Sequence, residues 1–420
     1  MANPFIPSFG KDQVKIKFSA FVLLFSFLSA SELEWKAEFR YRLEGNKSDS
    51  LYSSKASTIN YMRSRISLKF INGPVSAQAQ LQDSRYLGDL FNHSGYAYQQ
   101  PDYNTFYFHQ LYFQVDHLLK RNWSIKIGRF EMPLGSERLF SRNNWSNYGR
   151  SFDGIHSTTS IRFGELNVFQ LFITDHFSDQ NLNDDFDQKL SGLYFSTVFQ
   201  LFKNINIPNF DLYYYTNNFD YKSFWNDKNS RFDRRTLGAR INFNIFSHII
   251  EWEQGIQSGK ITDQDFDYLS GDIDAFFNVL NLHINVNTIP IIEKLSFGKE
   301  HFSGNDTATV ALDGFANPWG AGHKYHGYFD RHTRFGDNYR SGLDEWNVKT
   351  VFSLPGELKL NIHYHNFKDG LRFDPLGTEL DIVFSKKLGF DGVLQQGFAR
   401  YWEENGDQLD YSWLMLTFTL

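Results

Sequence analysis

Apolar and polar residues alternate along most of this chain with a period of two. In WKAEFRYRL, which runs from Trp35 to Leu43, one face is aromatic and aliphatic and the other is almost entirely charged. The same alternation returns in LGARINFNI (237–245) and in LKLNIHYHNF (358–367). This period is the pattern of a β-strand whose two faces meet different surroundings. A soluble sandwich and a membrane barrel both fit one such strand, so the whole chain has to decide between them.

Eighteen candidate strands follow from the pattern, and many of them have ten or more residues. Strands of soluble proteins average about 5–6 residues, whereas a tilted strand that crosses a membrane needs about 9–11. Long and short connections also alternate along the chain, as in outer-membrane barrels. The pattern therefore predicts an all-β fold, namely a single closed antiparallel transmembrane β-barrel of about 18 strands with short periplasmic turns and long extracellular loops. The candidate strands are 33–44, 57–71, 74–86, 105–118, 121–130, 156–164, 166–176, 187–203, 207–217, 234–246, 248–258, 271–287, 292–303, 342–353, 357–368, 374–386, 390–403 and 409–420.

The N-terminal residues indicate export. Lys11, Lys15 and Lys17 precede the apolar stretch FSAFVLLFSFLSAS (18–31), which ends in small residues. A basic segment, a short apolar stretch and small residues at its end are typical of a secretory signal peptide. The alternative is an N-terminal membrane anchor, but the stretch is shorter than the usual span of about 20 residues. We expect a signal peptide over residues 1–30 and a barrel over residues 31–420, located in the outer membrane of a Gram-negative cell.

Composition excludes several classes of site. The chain contains no cysteine, so disulfides, thiolate metal sites and cysteine nucleophiles are excluded. Its formal net charge is −6, so overall charge gives no reason to expect nucleic acid as a partner. The sequence has no G-x-S-x-G elbow, phosphate-binding loop or H-E-x-x-H motif, and we expect neither enzymatic activity nor a cofactor. A general or nutrient-uptake porin, a non-conducting scaffold barrel and an outer-membrane hydrolase all remain open at this point.

Three stretches resemble the alginate export family of bacterial outer-membrane proteins. They are GRFEMPLGSERLFSRNNWSNYGRSFDG (128–154), HKYHGYFD (323–330) and the closing region that begins with LGTELDIVFSKKL (376–388). The resemblance implies an eighteen-stranded barrel whose arginine-rich lumen passes an anionic polysaccharide. It also favours export, with a periplasmic synthesis or export apparatus as a partner. Outer-membrane lipid and lipopolysaccharide would surround the barrel, which we expect to be a monomer.

Candidate path residues come from strand parity and from loop 131–155, which is predicted to form a constriction. Guanidinium groups form bidentate bonds to carboxylates, and aromatic rings suit sugar rings. The alternative is that the arginines pair with lumenal acids and brace a wet interior, and that the loop packs on its neighbours outside the barrel. Arg129 shares parity with the apolar Ile127, which places it beyond the lipid band or at a bulge. The predicted path residues are Arg40, Arg42, Arg63, Arg65, Arg129, Arg138, Arg142, Arg150, Arg162, Arg240, Trp145 and Asp153.

Two further clusters contain metal-ligand residue types. His323, His326, Asp330 and His332 could bind Zn²⁺ or Ni²⁺, but an ordered polar plug or loop is the favoured interpretation. The acidic stretch DQNLNDDFDQK (179–189) could bind Ca²⁺ or bridge lipopolysaccharide, although it also reads as a solvated loop. We expect no metal site as part of the main function.

Overall fold

The protein is a β-barrel in which every predicted strand is present. The computed structural model describes residues 32–47, 57–87, 105–120, 122–173, 188–203, 205–222, 229–262, 270–286, 289, 291–306, 312–332 and 341–420. The expected signal peptide and residues 179–187 of the acidic stretch lie outside the described residues. The strands are β1 (Glu32–Lys47), β2 (Ser57–Asn72), β3 (Val75–Leu87), β4 (Thr105–Val115), β5 (Trp123–Phe130), β6 (Phe152–Ile161), β7 (Gly164–Ile173), β8 (Gln188–Phe202), β9 (Ile205–Lys222), β10 (Asn229–Ile245), β11 (His248–Thr262), β12 (Gly271–Asn285), β13 (Ile292–Phe302), β14 (Leu343–Leu354), β15 (Leu358–Lys368), β16 (Pro375–Leu388), β17 (Gly392–Glu403) and β18 (Gln408–Thr419).

The sheet closes on itself. Each strand pairs antiparallel with its neighbours in sequence, and β1 also pairs with β18, so the sheet has no open edge. Closure satisfies the backbone groups that lipid would otherwise leave unpaired. No helix in the described part of the chain is long and apolar enough to span a membrane.

The two faces of the wall are chemically distinct, as the alternation predicts. On β1, Trp35 and Phe39 are 60% and 40% exposed on the outer face. Arg40 and Arg42 point into the barrel and are each only 4% exposed. The apolar face of the opening stretch is therefore the lipid face, and its charged face lines the lumen.

Connections alternate between the two rims. The links after β2, β6 and β10 have only two residues each, whereas those after β3, β5 and β13 have many more. This rhythm confirms the predicted arrangement of short turns at the periplasmic rim and loops at the outer rim. The largest boundary differences are at β9 and β10, which run several residues further outward than expected.

The hydrophobic core lies inside the barrel. Eighteen strands would leave an aqueous interior, but two connections fold inward and pack on the inner wall. Phe130 ends β5, and Met132 and Phe140 lie in the connection that follows it. Phe302 ends β13, and Phe315 lies in the connection after that strand. All five are at most 2% exposed. The lumen therefore contains a folded layer of chain at the level of these residues.

Candidate functional site

Residues 131–151, called here the inward loop, cross the lumen from one wall to the other. One end of the loop lies on the arginines of β1 and β2, which we call the basic wall. Arg40 donates hydrogen bonds to the backbone carbonyls of Asn144 (2.6 Å) and Ser146 (2.8 Å). Arg42 donates to the carbonyl of Trp145 (2.5 Å). The basic wall consists of Arg40, Arg42, Arg63 and Arg65.

The basic wall is also paired with acids. Arg63 binds Glu38 at 2.6 Å, and Arg42 lies 2.6 Å from Glu44. All four guanidinium groups are at least nine-tenths buried and in contact with protein acceptors. They therefore hold the inward loop and brace the wall, as the alternative interpretation of the sequence described.

A carboxylate at the start of the inward loop continues this contact. Glu131 lies 2.8 Å from the Nε2 atom of His109 and 3.4 Å from Arg65. Burial by itself raises the pKa of Glu131. The hydrogen bond to His109 and the charge of Arg65 together lower the pKa by more than burial raises it, so it lies below its ordinary value. Glu131 is therefore held in its ionised form.

The opposite side of the loop is held by an acidic pocket. Arg138 lies 2.5 Å from Glu300 and 3.3 Å from Glu253, and its guanidinium carbon is 3.8 Å from the ring centre of Tyr325. Its side chain is fully buried. Burial lowers the pKa of Arg138, but the surrounding acids, with Glu300 foremost, raise it overall. The group is a permanently charged anchor inside the fold, and cargo cannot reach it.

A second inward segment, residues 312–332, packs against the inward loop. Arg150 donates to the carbonyls of Trp319 and Gly320, and the backbone amide of Ser141 donates to the carbonyl of Trp319 at 3.0 Å. The Nζ atom of Lys324, in the short helix α1 (Gly322–Tyr325), donates to the carbonyl of Ser136 at 2.9 Å. Arg150 is thus a clip between two segments of backbone.

A chamber of about 500 Å³ lies beside this layer. It reaches Gln395 and Thr417, which are close to the short-turn ends of β17 and β18, so it opens on the periplasmic half of the lumen. Arg142 and Lys324 are the exposed cations at its wall. Four cationic side chains and two carboxylates line it: Arg40, Arg63, Arg142, Lys324, Glu38 and Glu137.

Aromatic side chains form one side of the chamber. Trp413 contacts both Trp145 and Tyr328, with ring centres 5.4 and 4.9 Å apart. The ring of Trp145 is already covered by the guanidinium of Arg42 at 4.1 Å and by the imidazole of His323 at 3.9 Å. Trp145 therefore holds the loop and is not an open stacking platform.

Two predicted path residues lie on the outer face of the barrel. Arg129 and Asp153 are direct partners on β5 and β6, and their side chains form a bidentate ion pair. They share the face of Ile127 and Ile155, which are 50% and 45% exposed towards lipid. Placing them in the lumen was wrong. Parity was the better guide, because no bulge interrupts the pairing of β5 with β6.

The glycines beside this pair explain part of the recognised motif. Gly128 and Gly154 lie opposite each other on β5 and β6, and Gly128 has a φ of 127°. A Cβ at either position would collide with the backbone of the adjacent strand, at Leu111 and Gln170 respectively. Only glycine allows the strands to approach so closely where the inward loop leaves the wall.

Of the two predicted path residues Arg162 and Arg240, only Arg240 faces the lumen. Arg162 was expected on the lumenal wall, but β6 ends at Ile161 and Arg162 lies exposed in the periplasmic turn. Its placement in the lumen was wrong because the strand begins and ends earlier than predicted. Arg240 does face the lumen, where it pairs with Asp211 at 3.0 Å and Glu251 at 2.8 Å.

The predicted histidine cluster does not converge on one point. His323 pairs with Asp330 at 2.8 Å, and His332 lies 3.0 Å from the hydroxyl of Tyr401. His326 instead lies 2.7 Å from Glu345 on the barrel wall. The four residues therefore do not form a shared metal site in this structure.

Sequence reasoning missed the acidic wall that faces the basic one. Glu251, Glu253 and Glu300 are all buried and point inward from β11 and β13. Strand parity could have revealed them, since they alternate with outward residues in the same way as the arginines. The contribution of Lys324 to the chamber had no such signal, because it lies in a loop.

Comparisons with known proteins agree with this architecture. The family model described as alginate export matches residues 31–385. OccK9 (OpdG) of Pseudomonas aeruginosa aligns with a TM-score of 0.61 at 11% identity, over 93% of this chain and 99% of its own. OccK2 (OpdF) of the same organism, in complex with glucuronate, has a TM-score of 0.57 at 13% identity, over 93% and 98%. A BenF-like porin from Pseudomonas fluorescens has a TM-score of 0.61 at 12% identity, over 93% and 99%. At these identities the likeness to solved structures is one of fold. None of the curated proteins matches the chain.

Proposed function

This chain belongs to the alginate export family and forms an outer-membrane channel, and we propose that its cargo is an anionic polysaccharide built from uronic acids. The observation that carries the proposal is the periplasmic chamber with its excess of cationic over acidic side chains. Two of those cations, Arg142 and Lys324, are exposed. A carboxylated sugar entering from the periplasm would meet these two groups first.

The chemistry of the chamber suits carboxylates. The guanidinium of Arg142 offers a planar fork of donors, and the ammonium of Lys324 offers a compact charge. Glu137 lies 3.3 Å from Arg142, so a sugar carboxylate would compete with a weak, partly solvated ion pair. The buried arginines of the basic wall add positive potential behind them without having to touch the cargo.

Export is the direction that the family favours. In that case the periplasmic rim, where the short turns lie, would meet the synthesis or export apparatus. We propose that the mature protein begins after residue 30, and N-terminal sequencing of the protein from outer membranes would test that boundary.

Uptake of a small anionic solute is the second candidate. The chamber has the volume of an ordinary small-ligand pocket, for which about 300–1,000 Å³ is usual. The similar fold of OccK2 was solved with glucuronate, a single carboxylated sugar. A channel for polymers should be blocked more strongly by longer uronate oligomers, whereas a channel for single sugars should show no gain with length.

The test of the proposed function is conductance in planar bilayers. The double variant Arg142→Gln/Lys324→Gln should lower anion selectivity and weaken block by oligouronates by about tenfold or more. Each charge contact contributes about 1 kcal/mol even in a water-like medium. Neutral oligosaccharides of equal length should block both proteins equally.

The matched control removes two positive charges from the outer face. Arg235 and Lys299 are exposed there, where they pair with Asp233 and Asp344. Arg235→Gln/Lys299→Gln should leave selectivity and block unchanged. Equal block of the wild type and the chamber variant by oligouronates would refute the proposed site.

A further inference from the structure

A second group of chemically reactive side chains lies on the inner wall, away from the exposed cations. His363 and His365 are inward residues of β15, and Asp381 is the direct partner of His363 on β16. One nitrogen of each histidine and one oxygen of the aspartate all lie within 4.8 Å of one another. His365 and Asp381 are both 0% exposed.

The protonation of His365 follows from its other neighbour. The carboxylate of Glu345 accepts three hydrogen bonds. The donors are Nδ1 of His365 at 2.6 Å, Nδ1 of His326 at 2.7 Å and the side-chain amide nitrogen of Asn347 at 2.9 Å. A carboxylate surrounded in this way acts as the acceptor, so Nδ1 of His365 carries a proton. In a neutral imidazole the remaining nitrogen, Nε2, then presents a lone pair.

That lone pair faces another acceptor. Nε2 of His365 lies 3.6 Å from Oδ2 of Asp381, which is beyond hydrogen-bond distance. Within the described residues, Nε2 of His365 and both carboxylate oxygens of Asp381 are buried without a hydrogen-bond donor. Glu379 lies two residues away on the same face of β16 and adds a further acceptor oxygen. Buried acceptors that face one another are costly unless a cation or a shared proton lies between them.

We propose that His363, His365 and Asp381 bind a divalent transition-metal ion of the Zn²⁺ type in the wall of the lumen. Two imidazole nitrogens and one carboxylate oxygen, with a fourth position open to water, form a ligand set that this ion commonly takes. In a tetrahedral site with ligands at about 2.0–2.2 Å from the ion, ligand atoms lie roughly 3.3–3.6 Å apart. Nε2 of His365 and Oδ2 of Asp381 are already 3.6 Å apart, and the remaining ligand atom, which lies within 4.8 Å of both, would have to move closer. His363 is partly exposed, which gives the ion a route from the lumen.

The surroundings match those of metal-bound histidines. The carboxylate of Glu345 would orient His365 through its Nδ1 proton, which is the usual support of a zinc-bound imidazole. Lys349 lies opposite His363 on β14, and its Nζ atom donates a hydrogen bond to the carbonyl of Tyr325 at 2.9 Å. The ring of Tyr328, which lines the chamber, stacks on His363 with centres 5.7 Å apart. A bound ion would therefore fix the chamber wall in place, whatever cargo the channel carries.

A neighbouring group of Glu300, His326 and Glu345 has similar spacing, but its acids already have strong partners. Glu300 is paired with Arg138 at 2.5 Å, and Glu345 receives the three donors described above. An ion there would have to displace those contacts, so the argument applies only to the site on β15 and β16.

Metal counting tests the proposal. Protein purified without a histidine tag would be treated with a chelator, equilibrated with micromolar Zn²⁺, separated from free ion and analysed by atomic emission. Wild type should retain one ion per barrel, and Co²⁺ in its place should give the visible absorption bands of a four- or five-coordinate site. His363→Gln and Asp381→Asn should each lower the affinity by at least tenfold.

The control replaces another lumenal histidine. His156 faces the lumen from β6, and its Nε2 atom lies 2.9 Å from the side-chain amide oxygen of Asn167, which carries no charge. His156→Gln should keep full metal binding. Heat-modifiable migration on gels would show that each variant is folded, and Asp381→Asn preserves the shape of the side chain. The proposal is overturned if folded wild type retains no Zn²⁺, since a proton shared by Asp381 and Glu379 would then explain the cluster. Retention of the ion by both site variants would overturn it equally.

Discussion

Replacing Arg138 by methionine should release the tip of the inward loop from the acidic pocket. The guanidinium is the only cation within 4 Å of Glu300 and Glu253 among the described lysines and arginines. Methionine fills much of the same volume but leaves two buried carboxylates without their positive partner. Those carboxylates gain water only if the loop tip leaves the wall, so release becomes favourable.

The size of the effect follows from burial. Removing one partner of a buried ion pair costs about 3–5 kcal/mol, and the contact with the ring of Tyr325 adds to this loss. Because about 1.4 kcal/mol is a factor of ten, the ratio of released to docked loop should rise by two to four powers of ten. The basic wall still holds the carbonyls of Asn144 and Ser146, so we expect local release and an intact barrel.

Conductance and thiol labelling would measure the release. The chain has no cysteine, so a single Ser136→Cys substitution reports on the loop tip alone. In the Arg138→Met background this thiol should react at least a hundredfold faster, and single-channel conductance should increase. The matched control for thiol labelling is Arg142→Met on the same loop, because its single ion pair is about half exposed and contributes only about 0–1 kcal/mol. Wild-type labelling and conductance in folded Arg138→Met protein would refute the anchoring role.

Three other predictions follow from the structure. A single cysteine in place of Glu404, in the outer link between β17 and β18, should be labelled on intact cells. A single cysteine in place of Pro355, in a periplasmic turn, should react only after the outer membrane is permeabilised. The reverse pattern would show that the assigned topology is inverted. The pKa of Glu131 is lowered in the folded state, so its stabilising contribution is complete above the ordinary glutamate value of about 4.3 and is lost as pH falls through the lower, folded-state value. Current noise through the channel should therefore rise on acidification. Glu131→Gln should show the same noise at neutral pH, with little further change at low pH. Replacing Arg129 and Asp153 together by leucine should leave ion selectivity unchanged, since both face lipid, and altered selectivity would return them to the path.

The sequence by itself determined the wall of this protein. A strand that separates lipid from water must alternate at every residue, so the period of two marks both the strands and their faces. Trp35 and Arg40 could be assigned to opposite faces for this reason. Even the outward position of Arg129 was present in its parity with Ile127, and it was lost only when the whole recognised motif was assigned to the lumen.

Tertiary structure alone decided what fills the barrel. The period of two ends where β5 ends, so the sequence could name the following loop as a candidate constriction but could not indicate that Arg138 reaches acids on β11 and β13. Those acids lie more than a hundred residues away in sequence. The tautomer of His365 also depends on a contact between strands, because the carboxylate of Glu345 on β14 fixes it. Parity tells which face a side chain occupies, but pairing register and loop packing decide which charges meet across the lumen, and that is where the chemistry of this channel lies.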